Sequence, residues 1–152
     1  MSAATAGQTS RPHEIRGIAT PGVGYGGAVA AVEPMRVELN NSDRAPAAAR
    51  HALGSWLDKL DCPEPVPDDA LIVVSELVTN VVRHTASDPV VIATFDDRRL
   101  RIEVHDGDPR GPVPAAGAEV GGFGLTILEH LCDAWGWEPT DFGKRVWTET
   151  RC

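Results

Sequence analysis

The stretch that decides the fold is residues 68–84, Asp-Asp-Ala-Leu-Ile-Val-Val-Ser-Glu-Leu-Val-Thr-Asn-Val-Val-Arg-His. Its spacing predicts a helix that begins with two acidic residues, which the positive end of the helix dipole stabilises. The apolar stripe is formed by Val74, Leu77, Val78, Val81 and Val82. Glu76 and Asn80 lie on the other side, about 40° and one turn apart. Either they are ordinary solvated residues or they form a functional Glu/Asn pair. Asn is a mediocre helix former, which mildly favours the second interpretation.

Upstream of this helix, the alternation Met-Arg-Val-Glu-Leu at residues 35–39 predicts a strand. A further helix is expected to run to about Lys59, capped by Ser42 or Asp43, with Pro46 in its first turn. The Pro-rich link 62–67 separates the two helices.

Downstream, residues 90–95 and 100–105 predict a hairpin joined by residues 96–99. Residues 107–122 hold five Gly and three Pro and predict a functional lid or a disordered insert. A helix from Leu125 to about Ala134 and strands near 135–137 and 144–150 complete the chain. The predicted fold class is α+β, a two-layer sandwich in which helices cover one face of a mixed, mostly antiparallel sheet.

Residues 1–34 are rich in Gly, Ala, Ser, Thr and Pro and show no period, so we expect a disordered leader before a single domain at 35–152. Gly22, Gly24 and Gly27 match the spacing of a dinucleotide-binding loop. That loop needs a strand before it and a helix after it, and the sequence predicts neither.

Composition excludes several functions. The chain has 152 residues and a formal net charge of -8, so we expect no direct binding to nucleic acid or to an anionic membrane surface. No stretch approaches the roughly 20 apolar residues of a membrane span. Cys62, Cys132 and Cys152 are odd in number and lack C-x-x-C spacing, so we expect neither a disulfide framework nor a zinc site, and a reducing cytoplasm as the location.

Two loops add candidate residues. His105-Asp106-Gly107-Asp108 ends a predicted strand, where a carboxylate can accept a hydrogen bond from an exocyclic amine such as that of adenine, or can simply form an Asx-turn. Gly121-Gly122-Phe123-Gly124-Leu125 precedes a predicted helix, where backbone N–H groups can approach phosphates, or where the glycines only provide a hinge.

In order and spacing, these motifs together with Gly143-Lys144-Arg145-Val146-Trp147 resemble the N, G1, G2 and terminal boxes of the GHKL (Bergerat-fold) ATPases. Within that family they are most similar to the anti-sigma-factor serine/threonine kinases of actinobacterial type. The resemblance covers about residues 35–150, and the string Glu-Leu-Val-Thr-Asn-x-x-x-His at 76–84 is its most specific part.

The resemblance implies ATP and Mg²⁺ as cofactors and a role for each candidate. Glu76 would be the general base and Asn80 the Mg²⁺ ligand. Asp106 would hold the adenine amino group, and Gly107 would be a further nucleotide-binding residue. Gly121, Gly122, Gly124 and Leu125, here called the lid motif, would close over the phosphates. Arg83 and His84 would be phosphate neighbours, although His84 can equally be a partner of the helix dipole.

Two positions depart from the family pattern. The G1 box lacks both expected glycines after Gly107, and Asp108 adds a charge that repels a triphosphate unless Mg²⁺ or Arg110 compensates. In the terminal box, Arg145 stands where a small hydroxyl residue usually supports the adenine-binding carboxylate. We therefore expect weak adenine affinity.

As implied by the resemblance, the chain is a kinase that phosphorylates an antagonist protein and sequesters a sigma factor. The alternative is a catalytically inactive module that binds ATP or sequesters a partner. Glu76 favours the kinase, whereas the altered G1 box favours the module. Homodimer formation is left open.

Overall fold

The computed structural model describes residues 32–112 and 123–152. The predicted leader lies outside the described residues except for positions 32–34, and residues 113–122 of the predicted lid lie outside them as well. Within the described part, no helix has the length and apolar character that a membrane span requires.

The described part contains every element that the sequence predicts. In chain order these are β1 (Met35–Glu38), α1 (Ala45–Leu57), α2 (Val66–His84), β2 (Val90–Asp96), β3 (Arg99–Asp106), α3 (Phe123–Leu131), β4 (Ala134–Thr140) and β5 (Gly143–Arg151). The strands form one sheet in the order β1-β2-β3-β5-β4. Its four pairings are all antiparallel. The α+β class is confirmed, and the described sheet is antiparallel throughout rather than mixed.

The core lies between the helices and one face of the sheet. Along β3, Leu100, Ile102 and Val104 are buried, and the residues between them are partly exposed, as the two-residue period of a strand requires. On α2 the buried stripe includes Val73. Val82, which the sequence assigns to that stripe, is only partly buried.

Helix starts differ from the sequence prediction. Residue Arg44 precedes α1 and makes no side-chain cap, so the prediction that Ser42 or Asp43 caps this helix is wrong. The N–H group of Ala45 instead donates to the backbone carbonyl of Ser42, 3.0 Å away. Pro46 lies in the first turn as predicted. Helix α2 begins at Val66, two residues earlier than expected, and its first turn holds the predicted acidic pair.

The hairpin between β2 and β3 is tighter than predicted. Only Asp97 and Arg98 connect the strands, with φ values of 46° and 59°. Both values are positive, as in the primed two-residue turns whose twist matches that of the flanking strands.

The face of the sheet that points away from the helices carries a network of ion pairs around Glu103. Arg101 donates to Glu103 at 2.8 Å and to Glu149 at 2.7 Å. His105 lies 2.9 Å and Arg145 3.6 Å from the Glu103 carboxylate. Burial alone would raise the pKa of Glu103, but the hydrogen bonds from Arg101 and His105 outweigh it, so this pKa lies below its ordinary value.

A disulfide joins Cys62, in the link between the helices, to Cys152 at the end of the chain, with their Cα atoms 4.9 Å apart. The prediction that the cysteines form no disulfide is therefore wrong. Cysteine count and spacing cannot reveal a pair separated by 90 positions that only the folded sheet brings together. Burial raises the pKa of the free Cys132 thiol.

Candidate functional site

Helix α2 presents the predicted pair Glu76 and Asn80, both half-buried, along the edge of its buried stripe. The flank of α2 that faces α1 is a different one, since Arg50 of α1 donates to the hydroxyl of Ser75 at 2.6 Å. At 100° per residue, Glu76 lies 100° and Asn80 about 140° further around the helix from Ser75. The pair therefore points away from α1, and α2 also packs against α3.

Asp106, the predicted base-binding carboxylate, is buried at the end of β3, where its side chain is only 2% exposed. Lys144 lies beside it, with its ammonium 2.9 Å from Oδ2 and 3.0 Å from Oδ1. The backbone N–H of Asp108 donates to Oδ1 at 2.8 Å, which is the Asx-turn that the sequence offered as the alternative. Asp106 is thus held by two partners from its own chain.

The register between β3 and β5 decides which terminal-box residue reaches Asp106. Asp106 is opposite Lys144, so Arg145 points to the other face of the sheet, where it donates to Glu138 at 2.6 Å. The expectation that Arg145 takes the supporting place beside the carboxylate is wrong, because successive side chains of a strand alternate between faces.

Gly143 permits this close approach of β5 to β3. Its φ is 152°, and a Cβ atom there would collide with the carbonyl oxygen of Asp106 and the backbone of Gly107. No other residue fits this conformation and this space.

A depression of about 610 Å³ lies between the end of α2 and the loop after β3, lined by residues 83–87 and 107–110. It brings together Arg83, His84 and Gly107 of the predicted set. Glu76, Asn80 and Asp106 are not among its lining residues.

Hydrogen bonds hold the two walls of this depression together. The N–H of Gly107 donates to the Ser87 hydroxyl at 2.8 Å, and this hydroxyl lies 2.9 Å from that of Thr85. Asn41 donates to the carbonyls of Ser87 and Thr85 at 2.7 and 3.2 Å. Sequence reasoning missed these three residues, since only the tertiary fold brings residue 41 and loop 85–87 to residue 107.

Arg83 brings a positive charge to the depression. Arg83 and His84 are exposed in the last turn of α2. The Arg110 guanidinium donates to the carboxylate of Asp108 through three contacts, at 3.0, 3.1 and 2.6 Å. These hydrogen bonds hold the pKa of Asp108 well below its ordinary value. Arg110 therefore neutralises the extra negative charge of Asp108. This is one of the two compensations considered from the sequence, the other being Mg²⁺.

The lid motif is only partly described. Gly121 and Gly122 lie outside the described residues, whereas Gly124 and Leu125 form part of the first turn of α3. This helix begins at Phe123, two residues before the predicted start, so Gly124 belongs to the helix rather than to the loop before it.

Across residues 32–112 and 123–152, no group of three or more His, Cys, Asp or Glu side chains is arranged to hold a metal ion. Mg²⁺ in nucleotide sites commonly takes one or two protein oxygens and completes its coordination with phosphate oxygens and water.

Comparison with known proteins identifies the family. A family model described as the histidine kinase-like ATPase domain matches residues 39–149. No curated protein matches the chain. Among solved structures, the crystal structure of the RsbU and RsbW domains of Rv1364c from Mycobacterium tuberculosis is similar, with a TM-score of 0.62 and 21% sequence identity.

That similarity covers 78% of this chain but only 32% of the Mycobacterium chain, and at this identity it shows the fold alone. The family match, in contrast, spans well over half of the chain and includes all ten candidate site residues, from Glu76 to Leu125. This chain belongs to the histidine kinase-like ATPase domain family.

Proposed function

We propose that this protein binds ATP with Mg²⁺ and acts as an anti-sigma-factor-like serine/threonine kinase, which phosphorylates an antagonist protein and sequesters a sigma factor. The observation that carries the proposal is the placement of Glu76 and Asn80 one turn apart on the flank of α2 that points away from α1, in a chain of this ATPase-domain family. The Glu-Leu-Val-Thr-Asn-x-x-x-His string and the lid motif support the kinase subgroup.

The donor set suits a magnesium nucleotide. Asn80 offers an amide oxygen, the hard ligand that Mg²⁺ prefers, and the bound ion would neutralise phosphate charge. Arg83 supplies positive charge at the wall of the depression, which His84 also lines. Gly122 and Gly124 would contribute backbone N–H groups to the phosphates.

Glu76 is the proposed catalytic base, which accepts the proton of the attacking serine or threonine hydroxyl. Phosphoryl transfer depends mainly on positioning and on charge neutralisation, so one base beside a well-held nucleotide suffices. Asp106 would accept a hydrogen bond from the exocyclic amine of adenine.

Two substitutions separate these roles. Asn80→Ala should weaken Mg²⁺-dependent ATP binding by about tenfold, because a ligand of the bound ion is lost. Glu76→Ala should leave binding largely intact and abolish transfer, because a base acts mainly on the reacting complex. Calorimetry with and without Mg²⁺ measures binding, and transfer of labelled phosphate to an antagonist measures activity.

Ser75→Ala is the matched control, since it lies on the same helix but on the flank toward α1. It should leave both binding and transfer unchanged. Equal loss of ATP affinity in Asn80→Ala and Glu76→Ala would contradict the separate roles.

A second candidate function is a binding module that sequesters a partner without turnover. It is favoured by the altered G1 box, which lacks both expected glycines after Gly107. Normal ATP binding without transfer to any antagonist would select this module over the kinase.

For partners, we propose an antagonist protein and a sigma factor, and neither nucleic acid nor a membrane surface, since the net charge is -8.

A cytoplasmic location agrees with binding a sigma factor. The Cys62–Cys152 disulfide argues against it, because disulfides are rare in reducing compartments. Titrating thiols in protein taken rapidly from cells decides this point: a free Cys62 supports the cytoplasm.

A further inference from the structure

The hydroxyl groups of Thr85 and Ser87 belong to a chain of hydrogen bonds whose direction is fixed. Thr85 Oγ1 lies 2.9 Å from the carbonyl oxygen of Val81, and in this contact only the hydroxyl can donate. Since that bond uses the one hydrogen of Thr85, Ser87 is the donor in the 2.9 Å contact between the two hydroxyls. The Ser87 oxygen is then an acceptor for the N–H of Gly107, 2.8 Å away. The chain therefore runs from Gly107 through both hydroxyls to the last turn of α2.

The loop that carries the two hydroxyls is itself held in place by Asn41, which follows β1. The side-chain amide of Asn41 donates to the carbonyls of Ser87 and Thr85, at 2.7 and 3.2 Å. Its backbone N–H donates to the carboxylate of Asp88 at 2.7 Å. Because the backbone and the hydroxyl of Ser87 both have partners, the Ser87 oxygen offers its free lone pairs at a set position.

This chain joins the two walls of the depression, residues 83–87 and residues 107–110. Among the hydrogen bonds of the described residues, the bond from Gly107 to Ser87 is the one that directly links these two walls. On its other side the loop 107–110 is held by Lys144 of β5, which donates to one of its carbonyl oxygens at 3.1 Å. Ser87 therefore sets the distance of this loop from α2, and Lys144 sets its distance from β5.

Gly107 depends on such a bond because it has no side chain that could anchor it. A Cβ atom built on Gly107 would lie 3.1 Å from the Cβ atom of Ser87, so the two segments approach each other closely here. A site whose walls are in place before the ligand arrives binds more tightly than one whose walls the ligand must order, since ordering consumes part of the binding free energy.

We propose that Ser87 is a positioning residue for the nucleotide, which holds the loop 107–110 at the separation from α2 that Mg-ATP requires. It acts through Gly107 and does not contact the ligand. The inference rests on the proposed function, since it assumes that the phosphates lie in this depression beside Arg83. In the bound complex the loop has the same position with or without the hydroxyl, so Ser87 affects the binding of ATP and leaves the transfer step unchanged.

The first test is Ser87→Ala in the full chain. The dissociation constant of Mg-ATP, measured by calorimetry, should rise about fivefold, because two hydrogen bonds of the chain are lost. The rate of phosphate transfer at saturating ATP should stay within about twofold of that of the unmodified protein, as expected when only binding is affected. Without nucleotide, hydrogen exchange of the Gly107 amide, followed by NMR, should become at least about fivefold faster.

A matched pair of variants at Thr85 separates the hydroxyl from the shape of the side chain. Thr85→Val keeps the shape and removes the hydroxyl, so the hydrogen of Ser87 loses its acceptor. Thr85→Ser keeps the hydroxyl and removes the methyl group. ATP affinity should fall about threefold in Thr85→Val and stay unchanged in Thr85→Ser. A role in packing alone would give the opposite order.

Ile102→Val is the control for a general loss of stability. Ile102 is buried in the middle of β3, away from the depression, so this variant weakens the core without touching either wall. Its dissociation constant for Mg-ATP should equal that of the unmodified protein. All constants are compared at a temperature well below the melting transition of every variant.

A dissociation constant for Ser87→Ala within twofold of that of the unmodified protein overturns the inference. Equal affinities of Thr85→Ser and Thr85→Val overturn it too. If circular dichroism shows that Ser87→Ala is unfolded, the pair at Thr85 decides alone. If the unmodified protein does not bind Mg-ATP, the proposed function fails together with the inference. If it binds and its affinity does not depend on the two hydroxyls, only the inference fails.

Discussion

Reducing the bond between Cys62 and Cys152 should lower the free energy of unfolding by roughly 4–5 kcal/mol. The bond closes a loop across 90 positions of the chain. In the chain-entropy model a loop of that size restricts the unfolded state by about 15 cal/mol/K, which is about 4.6 kcal/mol at 25 °C. The native contacts around both cysteines stay in place, so the loss should come from the unfolded state.

The assay is urea unfolding with and without a thiol reductant, followed by circular dichroism. With a slope of about 1.5 kcal/mol per molar urea, the midpoint should fall by about 3 M. Cys62→Ser should show the same low midpoint with or without reductant. Cys132→Ser keeps the disulfide and should retain the full response to the reductant. An unchanged midpoint after complete reduction would refute the reasoning, since the bond would then restrict no conformations that unfolding releases.

Two further predictions concern the sheet and its ion pairs. Gly143→Ala should unfold the domain or cost several kcal/mol, since the new Cβ would meet backbone atoms of Asp106 at a positive φ. Gly54→Ala, in the middle of α1 with only Leu71 nearby, should instead stabilise by about 0.5–1 kcal/mol; thermal melts compare the two. The lowered pKa of Glu103 means that its contribution to stability is present above the unfolded-state pKa and is lost as pH falls through the folded-state pKa. Stability measured from pH 6 down to pH 3 should therefore fall less steeply in Glu103→Gln, and parallel curves would contradict this account.

Local periodicity predicted the elements well and their ends less well. The 3.6-residue spacing of residues 68–84 identified α2, and strand alternation identified β2 and β3, because both patterns are local in the chain. The start of α1 was missed because a backbone bond to Ser42 took the place of a side-chain cap. The tight turn at Asp97 and Arg98 was missed because these residues are not the usual Asn-Gly or Asp-Gly signal of such a turn.

In the candidate site too, some features follow from local sequence and others depend on tertiary contacts. The placement of Glu76 and Asn80 on one flank of α2 follows from helical spacing alone. That this flank points away from α1 depended on a contact between residues 50 and 75. The depression lined by residues 83–87 and 107–110 joins two segments that sequence reasoning treated separately.

By itself, the sequence determined the fold class, the order of the elements, the helix that carries the Glu/Asn pair and the strand end that carries Asp106. Only the tertiary structure decided that Cys62 bonds Cys152 and that Lys144, rather than Arg145, holds Asp106. The physical reason is that hydrophobic period, turn chemistry and helix charge act over a few neighbouring residues. The partner of a buried charge is set by strand register, and a shift of one residue would have turned Lys144 to the other face of the sheet.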